Sequence, residues 1–180
     1  MKTNSPRGFR NSLAALAVVL VVVAGAGCDK SNNPDRGVKP PPNAPQPAGE
    51  AILKVWEQGD SGAAIRQFIE ANWNVKPLFA PGCAMNLSED QFKKLSAAER
   101  KAKSTDVQTQ LAALKKLAGA VVQAGRDAVA KKDTDGARKH FAALQQCGQA
   151  LASPDSMVIV QLVGQGLQKM ALAESAKLPQ

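Results

Sequence analysis

The chain has 180 residues, with 23 Lys and Arg against 15 Asp and Glu, and is 44% hydrophobic but only 4% aromatic, a length that holds one ordinary domain and some additional chain. A single histidine, His140, and three scattered cysteines, Cys28, Cys83 and Cys147, exclude a zinc finger, an iron–sulfur site and C-x-x-C-H haem attachment, so no metal or cofactor is expected. Beyond the extreme N-terminus no run reaches the ~20 apolar residues that a spanning helix needs, which excludes a polytopic membrane protein.

Residues 1–12 hold Lys2, Arg7 and Arg10 and no acid, and residues 13–27, LAALAVVLVVVAGAG, are all small or apolar. A basic start, a short apolar stretch and a small-residue end describe a secretory signal peptide over 1–27. Fifteen helical residues span about 22 Å, short of a roughly 30 Å hydrocarbon core, so a free-standing anchor helix is the weaker reading. The signal ends in Gly25-Ala26-Gly27-Cys28, which resembles the lipobox of bacterial lipoproteins. That resemblance implies a diacylglycerol on the Cys28 thiol, cleavage before Cys28 and a further acyl chain on the new amino group. One acyl chain holds a protein only marginally on a membrane, whereas several hold it stably. It also implies export to the cell envelope and anchoring to a bacterial membrane, facing the periplasm or the cell surface. Gly25 stands where the family favours a larger aliphatic residue. Ala24-Gly25-Ala26 also fits an ordinary A-x-A cleavage site, the alternative that gives plain secretion.

Residues 28–49 read as the lipidated cysteine and a tether. The stretch carries six of the eleven prolines and almost no large apolar side chain, too little to offset the entropy of ordering. Without residues 1–27 the balance falls to 20 basic against 15 acidic side chains, and the excess lies in residues 51–180. An exported, mildly basic chain points away from nucleic acid. Lys93-Lys94, Lys115-Lys116 and Lys131-Lys132 read as solvated helix surface.

Residues 50–180 read as an all-α domain, a small bundle of about six helices. Helices are expected over about 49–58 (Ile52, Val55, Trp56) and 61–73 (Ile65, Phe68, Ile69, Trp73), followed by the breakers Pro77, Pro81 and Gly82. Ser88-Glu89-Asp90-Gln91 resembles a capping box for a helix over about 88–103. From 106 to 131, after a Thr105 cap, Val107, Leu111, Leu114, Ala118, Val121, Gly125 and Ala128 step by four and three. From 134 to 151, Ala137, Phe141, Leu144, Gly148 and Leu151 do the same. Ser153-Pro154 is read as the start of a last helix over about 154–176, with a seam of Val160, Val163, Leu167 and Met170. Such seams and short connections predict antiparallel neighbours. Gly164 and Gly166 weaken a helix unless they serve close packing, the preferred reading, or a ligand groove.

Two turns repeat a pattern. Asp60, Ser61, Ala64 and Phe68 match Asp133, Thr134, Ala137 and Phe141. In each, the turn residues end one helix and cap the next, the Ala permits a close approach and the Phe one turn later fills the gap. The pattern resembles the antiparallel hairpins of tetratricopeptide repeats, where a small residue is followed four later by an aromatic, and Gly125 sits twelve before Ala137 as in that family. The copies are 73 residues apart, and Ala48 and Val121 stand where the family has its early Trp. Tetratricopeptide-like hairpins within a bundle fit better than an array, and the resemblance implies a protein-binding scaffold.

If Cys28 is lipidated, Cys83 and Cys147 form an even pair. In an exported protein such a pair suggests a disulfide, closing a loop for which chain entropy gives roughly 4 kcal/mol. Two buried, unbonded thiols are the alternative. Catalytic groups are sparse. His140 lies seven residues before Cys147, about 10 Å along a helix, too far for a direct hydrogen bond. Asp133-Thr134-Asp135-Gly136 lacks the later ligands of an EF-hand. The expected function is therefore non-catalytic: a membrane-tethered protein-binding or scaffolding module. The alternative is a bundle that binds a small apolar or anionic ligand.

Overall fold

The computed structural model describes residues 47–179. The signal peptide expected over 1–27, Cys28 and most of the 28–49 tether lie outside these residues. All regular structure among the described residues is helical: α1 (Ala48–Glu57), α2 (Ser61–Glu70), a 3₁₀ turn (Ala84–Asn86), α3 (Glu89–Lys94), α4 (Ala97–Ala130), α5 (Thr134–Leu151) and α6 (Val158–Ser175). The expected all-α bundle is what forms.

The α1–α2 and α4–α5 turns share one conformation. Gly59 (φ +88°) and Lys132 (φ +63°) adopt the left-handed conformation. The next residues, Asp60 (φ −83°, ψ 76°) and Asp133 (φ −89°, ψ 75°), then cap the second helix. Asp60 accepts from the Ala63 N–H and Asp133 from the Gly136 N–H, each at 2.8 Å. Carboxylates here satisfy otherwise orphaned amides and face the positive end of the helix dipole. Ala64, Phe68, Ala137 and Phe141 are all buried, as the turn pattern predicts. A Cβ added at Gly125 would meet the Phe141 ring at 2.5 Å, so α4 and α5 are in contact through a bare backbone.

Four boundaries differ from expectation, the first being that the helix expected over 61–73 ends at Glu70 and leaves Trp73 outside it. The helices expected over 88–103 and 106–131 are a short α3 and a 34-residue α4. The break falls at Leu95–Ser96 because Ser96 and Glu99 form a second capping box, repeating that of Ser88 and Gln91. Thr105 is not a cap: its hydroxyl donates to the Lys101 carbonyl inside α4. The last helix starts at Val158, not 154. Its cap residue, Met157, has no capping oxygen. The Glu89 carboxylate of α3 accepts from the Val158 N–H (3.3 Å), and the Leu87 carbonyl from the Met157 N–H (3.2 Å). The domain also begins two residues earlier than 50, because α1 starts at Ala48 and the buried Gly49 N–H donates to the Leu78 carbonyl (2.9 Å).

The segment 71–87 has little regular structure yet lies in the core. Trp73, Leu78, Phe79, Cys83, Ala84 and Met85 are buried. Trp73 packs against Phe68 with the rings tilted by 54° (centroids 4.8 Å), and its indole N–H donates to the Phe68 carbonyl (3.1 Å). Asn86 donates to the carbonyls of Phe79 and Ala80, and Glu50 accepts from the Ala80 N–H. Side chains thus satisfy backbone groups that no ladder pairs.

Helices α5 and α6 meet glycine to glycine. A Cβ on Gly148 would lie 2.7 Å from the Gly164 carbonyl oxygen; one on Gly164 would lie 2.6 Å from the Gly148 carbonyl oxygen and from the Ala152 nitrogen. Gly164 therefore serves close packing. Gly166 does not, because a Cβ there, as at Gly119, meets nothing within 4 Å. Urea unfolding will separate the two kinds. Gly148→Ala and Gly164→Ala will each destabilise by about 1–3 kcal/mol, since the obstructing atoms are largely backbone. Gly119→Ala and Gly166→Ala will each stabilise by up to about 1 kcal/mol through helix propensity.

Candidate functional site

The residues singled out for chemistry are not brought together into a reactive centre. His140 is half-buried on α5, with its Nδ1 2.7 Å from the Gly136 carbonyl one turn earlier. Asp133 is engaged as a cap, and Asp135 pairs with Arg138 at 3.2 Å. The Cys83–Cys147 disulfide is not formed. Cys83 is buried and its thiol donates to Gln110 Oε1 on α4 (3.2 Å), while Cys147 is a free thiol within the packed face of α5. Burial pushes the Cys147 thiol well above its ordinary pKa, which suppresses the reactive thiolate. Among the described residues no group of three or more His, Cys, Asp or Glu side chains is placed to hold a metal ion.

Surface clefts among the described residues include two at the ends of α5. One of about 460 Å³ lies where the 71–87 segment meets the α5–α6 connection, with Lys76, Phe79, Asn86, Asp155 and Ser156 among its lining residues. The other, about 380 Å³, lies between α5 and the chain end, where Arg138, Gln145 and Leu178 contribute. Arg138 is already engaged there by Asp135 and the Pro179 carbonyl.

The distinctive surface is on α6. Val160, Val163, Gly164, Leu167, Ala171 and Glu174 face the bundle and are buried. The opposite side carries Val158, Ile159, Leu162 and Met170, with Leu162 60% exposed. Exposed Gly166 and Ala173 complete this strip. At 100° per residue these six positions occupy one side of the helix. The expected seam is corrected at Met170, which is 41% exposed, with Ala171 taking the buried place. Helix α6 is apolar on both sides, more than one buried face requires.

Only two charged side chains lie within α6, and one is turned away from this strip. Glu174 is buried and accepts from Arg126 of α4 at 2.7 and 3.1 Å, and from Lys177 at 2.7 Å. These hydrogen bonds, that of Arg126 foremost, hold the Glu174 carboxyl at a pKa of about 2 and raise that of the Arg126 guanidinium. The fork-on-fork pair fixes the end of α6 to α4. Lys169, the other charge within α6, is exposed and falls inside the open strip, between Val158 and Leu162 around the helix.

No protein-family model, curated protein or solved structure matches the chain. No helix among the described residues is long and apolar enough to cross a membrane.

Glu174→Gln tests the clasp. A carboxylate whose folded pKa lies at about 2, against an ordinary 4.5, adds stability that is complete above pH 4.5 and lost as the pH falls toward 2. Urea unfolding across that window will show a shallower loss for the Gln variant than for wild type. At neutral pH the variant will be less stable by about 1–3 kcal/mol.

Proposed function

We propose that this chain is a bacterial lipoprotein, anchored through acylated Cys28, whose helical domain is a non-catalytic protein-binding or scaffolding module of the cell envelope. The observation that carries the binding half is the open apolar side of α6. A helix that leaves Val158, Ile159, Leu162, Met170 and Leu172 exposed, where the rest of the described residues expose Val75 and Val129, supports an interaction surface. The helix-in-groove and helix-on-helix modes of recognition use this spacing of apolar side chains. The tetratricopeptide-like pattern of the two hairpins supports the same reading.

The anchoring half rests on the basic N-terminus, the apolar run and the small residues before Cys28. Nineteen residues, 29–47, separate Cys28 from α1.

The anchor is tested by feeding bacterial cells an alkyne-tagged fatty acid. The wild-type chain will take up the tag and sediment with membranes. Cys28→Ala will lose the tag and most of the membrane association. Equal labelling of both chains, or labelling of neither, contradicts the lipoprotein reading.

A further inference from the structure

The cleft of about 460 Å³ between the 71–87 segment and the α5–α6 connection holds two unused charges of opposite sign. Lys76 lines it from the segment and Asp155 from the connection, and no other charged residue contributes to its walls. Both side chains are exposed, and neither forms an ion pair or hydrogen bond with any described residue. A lysine and an aspartate that face one cleft without meeting leave room for a molecule between them.

The surface between the two charges is apolar. Phe79 and Met85 come from the segment, Leu151 from α5 and Val160 from α6, each at most 3% exposed. Asn86 adds one oriented polar group. Its Nδ2 donates to the Phe79 and Ala80 carbonyls at 2.8 and 2.9 Å, which leaves Oδ1 as the acceptor. The two walls are joined to each other by the Met157 N–H on the Leu87 carbonyl (3.2 Å) and the Val158 N–H on the Glu89 carboxylate (3.3 Å). The cleft is therefore formed before anything enters it, with an apolar floor and a few polar groups, as small-molecule sites are built.

Each charge excludes what the other attracts. An anion drawn to Lys76 is repelled by Asp155, and an amine drawn to Asp155 is repelled by Lys76. Only a molecule that carries both charges satisfies both walls. We propose that this cleft binds a small apolar zwitterion, a leucine-like amino acid or a dipeptide of such residues. Its carboxylate lies at Lys76, its ammonium at Asp155 and its side chain on the floor of Phe79 and Met85. The site is separate from the outward side of α6 and does not depend on acylation of Cys28.

Isothermal titration of the purified full-length chain with leucine and with leucyl-leucine tests this. At least one of them will bind saturably, one molecule per chain. Tighter binding of leucine assigns the free amino acid, and tighter binding of leucyl-leucine assigns the two ends of a short peptide. Leucinamide lacks the carboxylate and 4-methylpentanoate lacks the ammonium; each will bind about tenfold more weakly than leucine. Lys76→Ala and Asp155→Ala change exposed, unpaired side chains and leave the fold intact. Each will weaken the zwitterion by about tenfold. Lys76→Ala will also remove the preference over leucinamide while keeping that over 4-methylpentanoate, and Asp155→Ala will do the reverse. No saturable binding of either zwitterion, equal binding of the singly charged analogues, or binding that both substitutions leave unchanged overturns the proposal.

Discussion

The contact between Gly148 and Gly164 is the constraint on which the rest of the arrangement depends. Each residue lets the other helix's backbone come closer than any side chain permits. At that separation Leu144, Cys147 and Leu151 of α5 bury fully beside Val160, Leu167 and Ala171 of α6. Burial of this kind contributes about 25 cal/mol per Å² of apolar surface, and dense packing adds dispersion contacts. A helix set so close on one side by its glycines cannot also turn its other side inward. The outward strip of Val158, Ile159, Leu162 and Met170 is therefore a consequence of the same contact that buries the inner one.

Two polar devices hold the ends of α6 in this position. At its start, Glu89 from a helix 69 residues away accepts from the Val158 N–H, doing what Met157 cannot. At its end, Arg126 reaches from α4 to the buried Glu174 carboxylate. The glycine contact sets the distance between helices, and the polar pairs set the position of α6 along and around its axis. The hairpins follow a different local rule. Asp60 and Asp133 cap with the same geometry, and the residue before each takes a left-handed conformation. Gly59 adopts it freely, while Lys132 does so at a cost of about 1 kcal/mol.

Local, periodic features were readable in the residues. The all-helical class, the α2 and α5 caps, the buried Ala–Phe pairs and the α5 seam all depend on contacts a few residues apart. The errors have equally physical causes. Ser96-Ala97-Ala98-Glu99 has the composition of a capping box, but Thr105-Asp106 also resembles a helix start and competes with it. Ser153-Pro154 has the composition of a start, but the amides of α6 are satisfied by Leu87 and Glu89 from elsewhere in the fold. The burial of Trp73, Phe79 and Met85 in an irregular segment has no period to reveal it. The outer strip of α6 was legible in one respect: a helix with apolar residues at 158, 159, 160, 162, 163, 167, 170, 171 and 172 has too many for a single face. Which of them would face outward depended on Gly164 finding Gly148, a long-range contact that spacing alone does not specify.

Native-state hydrogen exchange of the full chain, compared with Gly164→Ala, tests most directly whether α5 and α6 are bound into one unit by this contact. The account predicts that amides from Val160 to Ala171 open together with those from Phe141 to Leu151, at one free energy, and that the substitution lowers both by the same amount. Exchange of α6 through a separate, easier opening, with α5 still protected, would contradict it.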